Sequence, residues 1–244
     1  MSTDTREALA STPRAVWAMG DYALMAEQVM APLGPVLVDF AGIVAGDKVL
    51  DVAAGSGNIS VPAALRGARV VASDLTPELL RRAAQRTAEH SATLECRAHH
   101  QRAADELVRV CRSRGTIGLI SWTPEGFFGQ MLAAIRPYRP TLAPGVPLAA
   151  LWGREDYIAG MLGDRVSEIT AQRATLRVDR FRSAEECHEY FKNNYGPTIN
   201  AYRLIGNNHV LAAALDAQLV DLARRHLTGG VMEWEYLILT ARKR

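Results

Sequence analysis

Residues 48–60 read Lys-Val-Leu-Asp-Val-Ala-Ala-Gly-Ser-Gly-Asn-Ile-Ser, and no other stretch constrains the fold as much. A short apolar run ends in a glycine turn, and a helix-forming segment follows. This pattern predicts a buried strand handing over to a helix through a bend that glycine takes easily. Asn58 is placed to cap that helix, and Pro62 falls in its first turn, where a missing N–H does little harm. The alternation repeats downstream. Strands are expected at 69–73, 92–96 and 116–122, with Gly67 and Gly115 as punctuation. Thr76, Pro77 and Glu78 open a helix with the buried stripe Leu79, Leu80, Ala83, Ala84 and Thr87. Another helix carries Ala104, Leu107, Val108 and Cys111 on one face. Strands alternating with helices predict an α/β fold: a Rossmann-like doubly wound sheet, mostly parallel, with helices on both faces.

The flanks follow other rhythms. Val16 to Met30 reads as one helix and Leu33 to Val44 as a second. After Trp122, Phe127 to Tyr138 looks helical, and residues 137–147 hold four prolines in what reads as an exposed loop. Ser167 to Phe181 alternates like a strand. Ser183 to Glu186 is a capping box opening a helix with Tyr190 and Phe191. Leu211 to Leu227 is amphipathic, and Val231 to Ala241 is the last strand.

Composition narrows the function. The 244 residues are 48% hydrophobic and 22% charged, with net charge +2. Arg81-Arg82 and Arg224-Arg225 read as solvated helix faces, so nucleic acid is not an expected partner. No run approaches the ~18 apolar residues of a membrane span. The first residues lack a signal peptide's basic-then-apolar order, which makes a cytoplasmic location the default expectation. Cys96, Cys111 and Cys187 have no metal-type spacing, and the pairs His99-His100 and Cys187-His188 do not supply ligand spacing, so no metal is expected.

Asp51 lies inside the first strand and Asp74 closes the second. Those strands are neighbours in a doubly wound sheet, so both carboxylates reach the crevice at the strand ends. A glycine turn lets a ligand approach the backbone and aims helix N–H groups at anionic atoms. Two acids around such a turn suit a ligand with a ribose diol at one end and an amino-acid tail at the other, as in S-adenosylmethionine. NAD also has a diol, but its pyrophosphate would crowd Asp51, and like charges repel. The Gly55-Ser56-Gly57 spacing still mimics part of the dinucleotide pattern. A plain strand–turn–helix with both acids as local caps is the third reading.

On Val49 to Gly57, Val71 to Pro77, Arg102 to Arg112 and Gly115 to Trp122, the chain resembles the class I S-adenosylmethionine-dependent methyltransferases. It is most similar to the branch containing the ubiquinone and menaquinone biosynthesis C-methyltransferases. The resemblance implies a single methyltransferase-like domain over 1–244. Its cofactor-binding core would be 13–122, a substrate-side insertion 123–200, and a closing helix with an antiparallel C-terminal strand 201–244. It implies that S-adenosyl-L-methionine is held by Tyr22, Asp51, Ala53, Gly55, Ser56, Gly57, Asn58, Asp74 and Leu75. The segment Gly20 to Tyr22 would fold over the cofactor, or else form a helix packed by Trp17 and Tyr22. A small-molecule acceptor, aromatic or quinone-like, would take the methyl group, with Tyr190, Asn193, Asn194 and Tyr195 lining its pocket and His99 or His100 as base. A degenerate, non-catalytic relative and a nicotinamide-dependent oxidoreductase are the alternatives.

The chain departs from that family after Cys96. Relatives continue into an acidic residue that contacts adenine, and then into a fourth strand beside strand one. Here about one strand-plus-helix unit, on the order of 30 residues, has no counterpart. The expectation is that the next helix serves as the crossover and sets 116–122 directly beside strand one, in the six-stranded order 3-2-1-5-7-6. Weakened cofactor binding should follow.

Overall fold

The structure, a computed structural model, describes residues 13–89, 94–97, 103–139 and 149–244. Three parallel strands form the first sheet: β1 (Lys48–Val52), β2 (Arg69–Ser73) and β3 (Leu94–Arg97), in the order β1-β2-β3. The second sheet is antiparallel. Here β7 (Val231–Lys243) lies between β4 (Thr116–Trp122) and β5 (Val166–Val178), and the two-residue β6 (Leu227–Thr228) also pairs with β7. The β5–β7 register shifts between Ser167 and Thr170, where Glu168 adopts φ +51, as expected of a bulge.

The expected single sheet is not formed. Among the described residues, β1 pairs only with β2, and β4 pairs only with β7. The crossover helix α6 (Ala103–Val110) does connect the two halves, but it packs on the second sheet. Its Val108 is buried with Ile117, Ile158, Leu239 and Ala241, and Asp105 pairs with Arg165 at 2.8 Å. These contacts fix β4 against β7 and leave β1 without a second neighbour.

The remaining helices are α1 (Pro13–Trp17), α2 (Tyr22–Met25), α3 (Leu33–Phe40), α4 (Ser60–Leu65), α5 (Pro77–Glu89), α7 (Phe127–Ile135), α8 (Glu155–Leu162), α9 (Ala184–Asn194), α10 (Gly196–Ile205) and α11 (His209–His226). The single helix expected over 16–30 is broken at residues 18–21, then continues through α2 into a π turn at Ala26–Met30. The break has a tertiary cause. Gly20 presses on the α9–α10 corner, where a Cβ would lie 2.5 Å from the Asn194 carbonyl, and the Asp21 N–H donates to that carbonyl at 2.9 Å. Helix α3 stops at Phe40 rather than Val44. Ser183 caps α9 as expected, accepting from Glu186 N, but the Glu186 carboxylate accepts from Arg182 N rather than closing back on Ser183. The proline loop lies largely at 140–148, outside the described residues. Residue 201, where the closing segment was expected to begin, falls inside α10.

The main core lies between the second sheet and helices α7, α9 and α11. Trp234 is fully buried there, stacked on Phe127 at 5.5 Å and meeting Phe128 edge-on at 5.1 Å. Helix α3 reaches both halves. Leu37 enters the main core, while Val38 is buried with Ala63, Ala64 and Val70 under the first sheet. No single helix among the described residues is long and apolar enough to cross a membrane. Tyr22–Met30 with Leu33–Phe40 passes only as a pair bent by 74°.

Two glycines provide a test of this packing. A Cβ on Gly34 would lie 1.8 Å from the Asn58 carbonyl oxygen, whereas one on Gly160, inside α8, would meet nothing within 4 Å. Gly34→Ala should destabilise by about 2 kcal/mol or more in urea unfolding. Gly160→Ala should be neutral or stabilise by about 0.5–1 kcal/mol. Equal effects of the two substitutions would contradict the described position of α3.

Candidate functional site

The turn after β1 takes its shape from alternating left-handed residues. Ala53, Gly55 and Gly57 have φ of 59°, 55° and 87°. Gly57 needs its missing side chain, because a Cβ would sit 3.0 Å from that of Ala83 on α5. Gly55 differs: a Cβ there would meet nothing within 4 Å, so its backbone borders open space.

Asp74 ties this turn to the end of β2. Its carboxylate accepts from Gly55 N at 2.9 Å and from Thr76 N at 2.8 Å. Asp51 is buried on the same side of the turn, where it accepts from the Ser60 hydroxyl at 2.5 Å. The two acids are close enough to repel. Burial first, and Asp74 second, push the Asp51 carboxyl up to about 6, against the lowering influence of the Ser60 N–H and hydroxyl. Ser60, the first residue of α4, thus meets a carboxylate from the strand rather than from an adjacent cap.

Asn58 is not the helix cap. Its side-chain amide donates to the Met30 carbonyl at 2.9 Å, and α4 begins two residues later without a side-chain cap. This bond joins the turn to the N-terminal helices. The turn N–H groups expected to face a ligand are partly spent, since Gly55 N binds Asp74 and Gly57 N binds the Ala54 carbonyl.

The hydroxyls of Ser56 and Thr76 are buried without a hydrogen-bond partner among the described residues. An unpaired buried hydroxyl costs about 1–3 kcal/mol, and Tyr190, Thr198 and Trp234 carry unpaired polar atoms in the same way. Leu75, half-buried, lies between Asp74 and Thr76. Arg86 joins this site without a motif to announce it. From α5 it donates to the Ser56 carbonyl at 2.9 Å and anchors the turn from below; its place on the helix beside Ala83 is the only local clue. Ser60, nine residues after Asp51, was also overlooked.

Tyr22 sits away from this constellation. Its hydroxyl accepts from Gly196 N at 3.1 Å, and its ring packs against Trp17 and Tyr195 at 5.5 and 6.1 Å. Burial drives its phenol far above the ordinary value. This is the packed-helix arrangement that stood as the alternative for Gly20 to Tyr22. Tyr190 and Tyr195 are likewise buried in the main core, while Asn193 turns outward to Glu189. The two tyrosines serve packing, and Asn193 is exposed. His99 and His100 lie outside the described residues. Among the described residues no group of three or more His, Cys, Asp or Glu is arranged to hold a metal ion.

The carboxylates, the open glycine and the orphaned hydroxyls gather at the carboxyl ends of parallel strands, where open α/β sheets bind ligands. A family described as the methyltransferase domain matches residues 49–137, which span the turn, both acids and β4. Over its whole length the chain is similar to an uncharacterized protein of Mycobacterium tuberculosis, 57% identical over 272 positions that cover 100% of this chain and 99% of the relative. It belongs to the same family, one that carries a class I methyltransferase domain. That alignment is longer than the chain's 244 residues, so at least 28 positions of the relative face nothing here. Two solved structures share the fold. A geranyl diphosphate methyltransferase in complex with SAM is 16% identical, with TM-score 0.50, covering 88% of this chain and 85% of its own. The [4+2]-cyclase SpnF is 15% identical, with TM-score 0.52, covering 87% and 81%.

The raised Asp51 carboxyl fixes a pH dependence. The folded state holds a proton that the unfolded chain, with an ordinary value of 3.8, releases earlier. Stability contributed by this group is therefore present below about pH 4 and is lost as pH rises through about 6. Asp51→Asn should be about 1–3 kcal/mol more stable than the parent at pH 7.5 and equal to it near pH 4, read by urea unfolding across that range. A parallel pair of curves would show that Asp51 titrates normally.

Proposed function

We propose that the chain binds S-adenosyl-L-methionine and transfers its methyl group to a small-molecule acceptor. One observation carries this reading: two carboxylates bracket one glycine turn, Asp51 buried with a raised affinity for a proton and Asp74 lashed to Gly55. A buried acid of that kind is stabilised by a cation, and the methionyl ammonium is one. Each Asp74 oxygen accepts one N–H and retains a free lone pair, enough to receive a ribose diol. Ser56 offers its unpaired hydroxyl beside the open backbone of Gly55. Together with Ala53, Gly57, Asn58 and Leu75 these residues would hold the cofactor's methionyl and ribose ends, and Tyr22 would act indirectly, by fixing residues 20–22 against the α9–α10 corner.

The sulfonium supplies an activated methyl carbon and a neutral thioether leaving group. The protein's task is alignment and exclusion of water, which can account for much of the rate. An acceptor that loses a proton on methylation needs a base, and His99 or His100 is assigned that role. For the acceptor we infer an aromatic or quinone-like small molecule, as in the ubiquinone and menaquinone branch. The resemblance over Val49 to Trp122 supports this choice.

A second reading has a specific observation in its favour. Among the described residues β1 pairs on one side only, and the alignment with the relative runs 28 positions beyond this chain's 244 residues, which favours a degenerate, weakly binding relative. That a protein of this fold is a [4+2]-cyclase also shows that fold alone does not dictate methyl transfer.

Calorimetry separates these readings. S-adenosylmethionine and S-adenosylhomocysteine should bind with Kd of about 10 μM or weaker, at least tenfold weaker than to the Mycobacterium tuberculosis relative. Affinity should rise between pH 5 and 7 with proton release, because the bound ammonium favours ionised Asp51, and Asp51→Asn should flatten that dependence. Binding of NAD with no response to either sulfur ligand would overturn the proposal. Binding without turnover of any aromatic acceptor would favour the degenerate relative.

A further inference from the structure

Ser60 is fully enclosed, yet its hydroxyl does not serve the helix it begins. It stands one place after the cap of α4, and Ile59 at that cap makes no side-chain bond. The usual local partner of a helical serine is the carbonyl four residues earlier. Here that carbonyl belongs to Ser56 and accepts from Arg86 instead. The Ser60 hydroxyl crosses to the neighbouring strand and donates to Asp51 Oδ2 at 2.5 Å. Both ends of this bond lie inside the protein, with Asp51 6% exposed and Ser60 0%.

A donor in that position acts on a carboxylate in two ways. The torsion that turns a carboxylate plane is broad, so fixing one oxygen decides which way the other faces. A charge-assisted bond also favours the ionised acid over the neutral one. The surroundings otherwise oppose the charge. Asp51 is buried in β1, Asp74 at the end of β2 repels it, and among the described residues no basic side chain pairs with it. Ser60, by its hydroxyl and its N–H, is the group that favours the carboxylate. Among the described residues no second side chain donates to Asp51, so Oδ1 has no side-chain partner. We propose that Ser60 is a positioning residue for the cofactor's ammonium group: it touches Asp51 and not the ligand, and its hydroxyl keeps that carboxylate charged with Oδ1 turned to the crevice. This role rests on S-adenosylmethionine being the ligand, and it extends the site beyond the glycine turn and its two acids. A serine that only filled its place beneath the turn would neither orient nor ionise Asp51.

Ser60→Ala removes the donor and little volume, and two readings on the full chain test it. Without cofactor, the Asp51 carboxyl carbon is followed by NMR from pH 4 to 9, its resonance assigned by its loss in Asp51→Asn. The parent should titrate at about 6, and Ser60→Ala about one pH unit or more higher. With S-adenosylhomocysteine as the probe, calorimetry should find Ser60→Ala about tenfold weaker than the parent at pH 5. That deficit should shrink by pH 8, where more of the variant's carboxyl is ionised. In an Asp51→Asn background, Ser60→Ala should change affinity less than about twofold at either pH. An Asp51 titration unmoved by Ser60→Ala would overturn the proposal, as would equal affinity of parent and variant at pH 5. A fall in Tm with neither change would reduce Ser60 to packing and overturn it too. A parent that binds no sulfur ligand, while Ser60→Ala still moves the titration, would instead sink the S-adenosylmethionine reading and with it the ligand assigned here.

Discussion

Two adjacent residues of one short helix hold the molecule together across the break in its sheet. Leu37 enters the aromatic core above the second sheet, and Val38 enters the small apolar cluster beneath the first. Neighbours on a helix point about 100° apart, so α3 can wedge into both at once. Each buried side chain of this kind contributes about 1.5–3 kcal/mol, and this apolar wedge takes the place of the backbone ladder that β1 and β4 do not share. A Cβ on Gly118 of β4 would lie 3.4 and 3.5 Å from Ala41 and Leu37, so the end of α3 lies over β4 there. From the same helix, Gly34 packs against the Asn58 carbonyl. The junction of the sheets and the shape of the glycine turn therefore depend on one element.

At the turn, the two acids are treated in opposite ways. Asp74 is satisfied by two backbone N–H groups and acts as a structural clasp between strand ends. Asp51 is buried with Ser60 beside it and a like charge nearby, an arrangement that works against the folded state at neutral pH. Such unfavourable burial marks functional sites more often than structural ones, because a ligand of opposite charge relieves it. The orphaned hydroxyls of Ser56 and Thr76 add to the same local debt of unmet polarity. The reading in which both acids are local caps accounts for Asp74 and for the bonds of Asp51 to Ser60 at the start of α4, but not for the burial that raises the Asp51 carboxyl.

Much of the first half was legible because its signals are local. Strands 69–73 and 116–122 were read to the residue, since each is an apolar run bounded by glycine, and the helix at Pro77 announced itself by threonine, proline and glutamate. What escaped was set by distant contacts. The break at residues 18–21 is imposed by a corner about 175 positions away in sequence, and Asn58 looked like a cap because its true partner, Met30, lies 28 residues earlier. Helix Gly196–Ile205 carried no expectation, because the glycine and proline at its start are turn formers. The sheet order failed for a different reason. Connection length permits a crossover, but only packing decides where the next strand stops, and Val108 stops it on the second sheet.

The ties that shape the turn explain how the site can persist beside a broken sheet. Asp74 to Gly55, Asp51 to Ser60, Arg86 to Ser56 and Asn58 to Met30 all lie within residues 30–86, and none of them crosses to the second sheet. The insertion helices are tied to the N-terminal segment by Asp21 to Asn194 and Tyr22 to Gly196. The glycine turn and the insertion helices are thus built on separate bodies, coupled by residues 21–22 and by α3. A change at the interruption should therefore leave the hydrogen bonds of the turn in place, because they depend on one body alone.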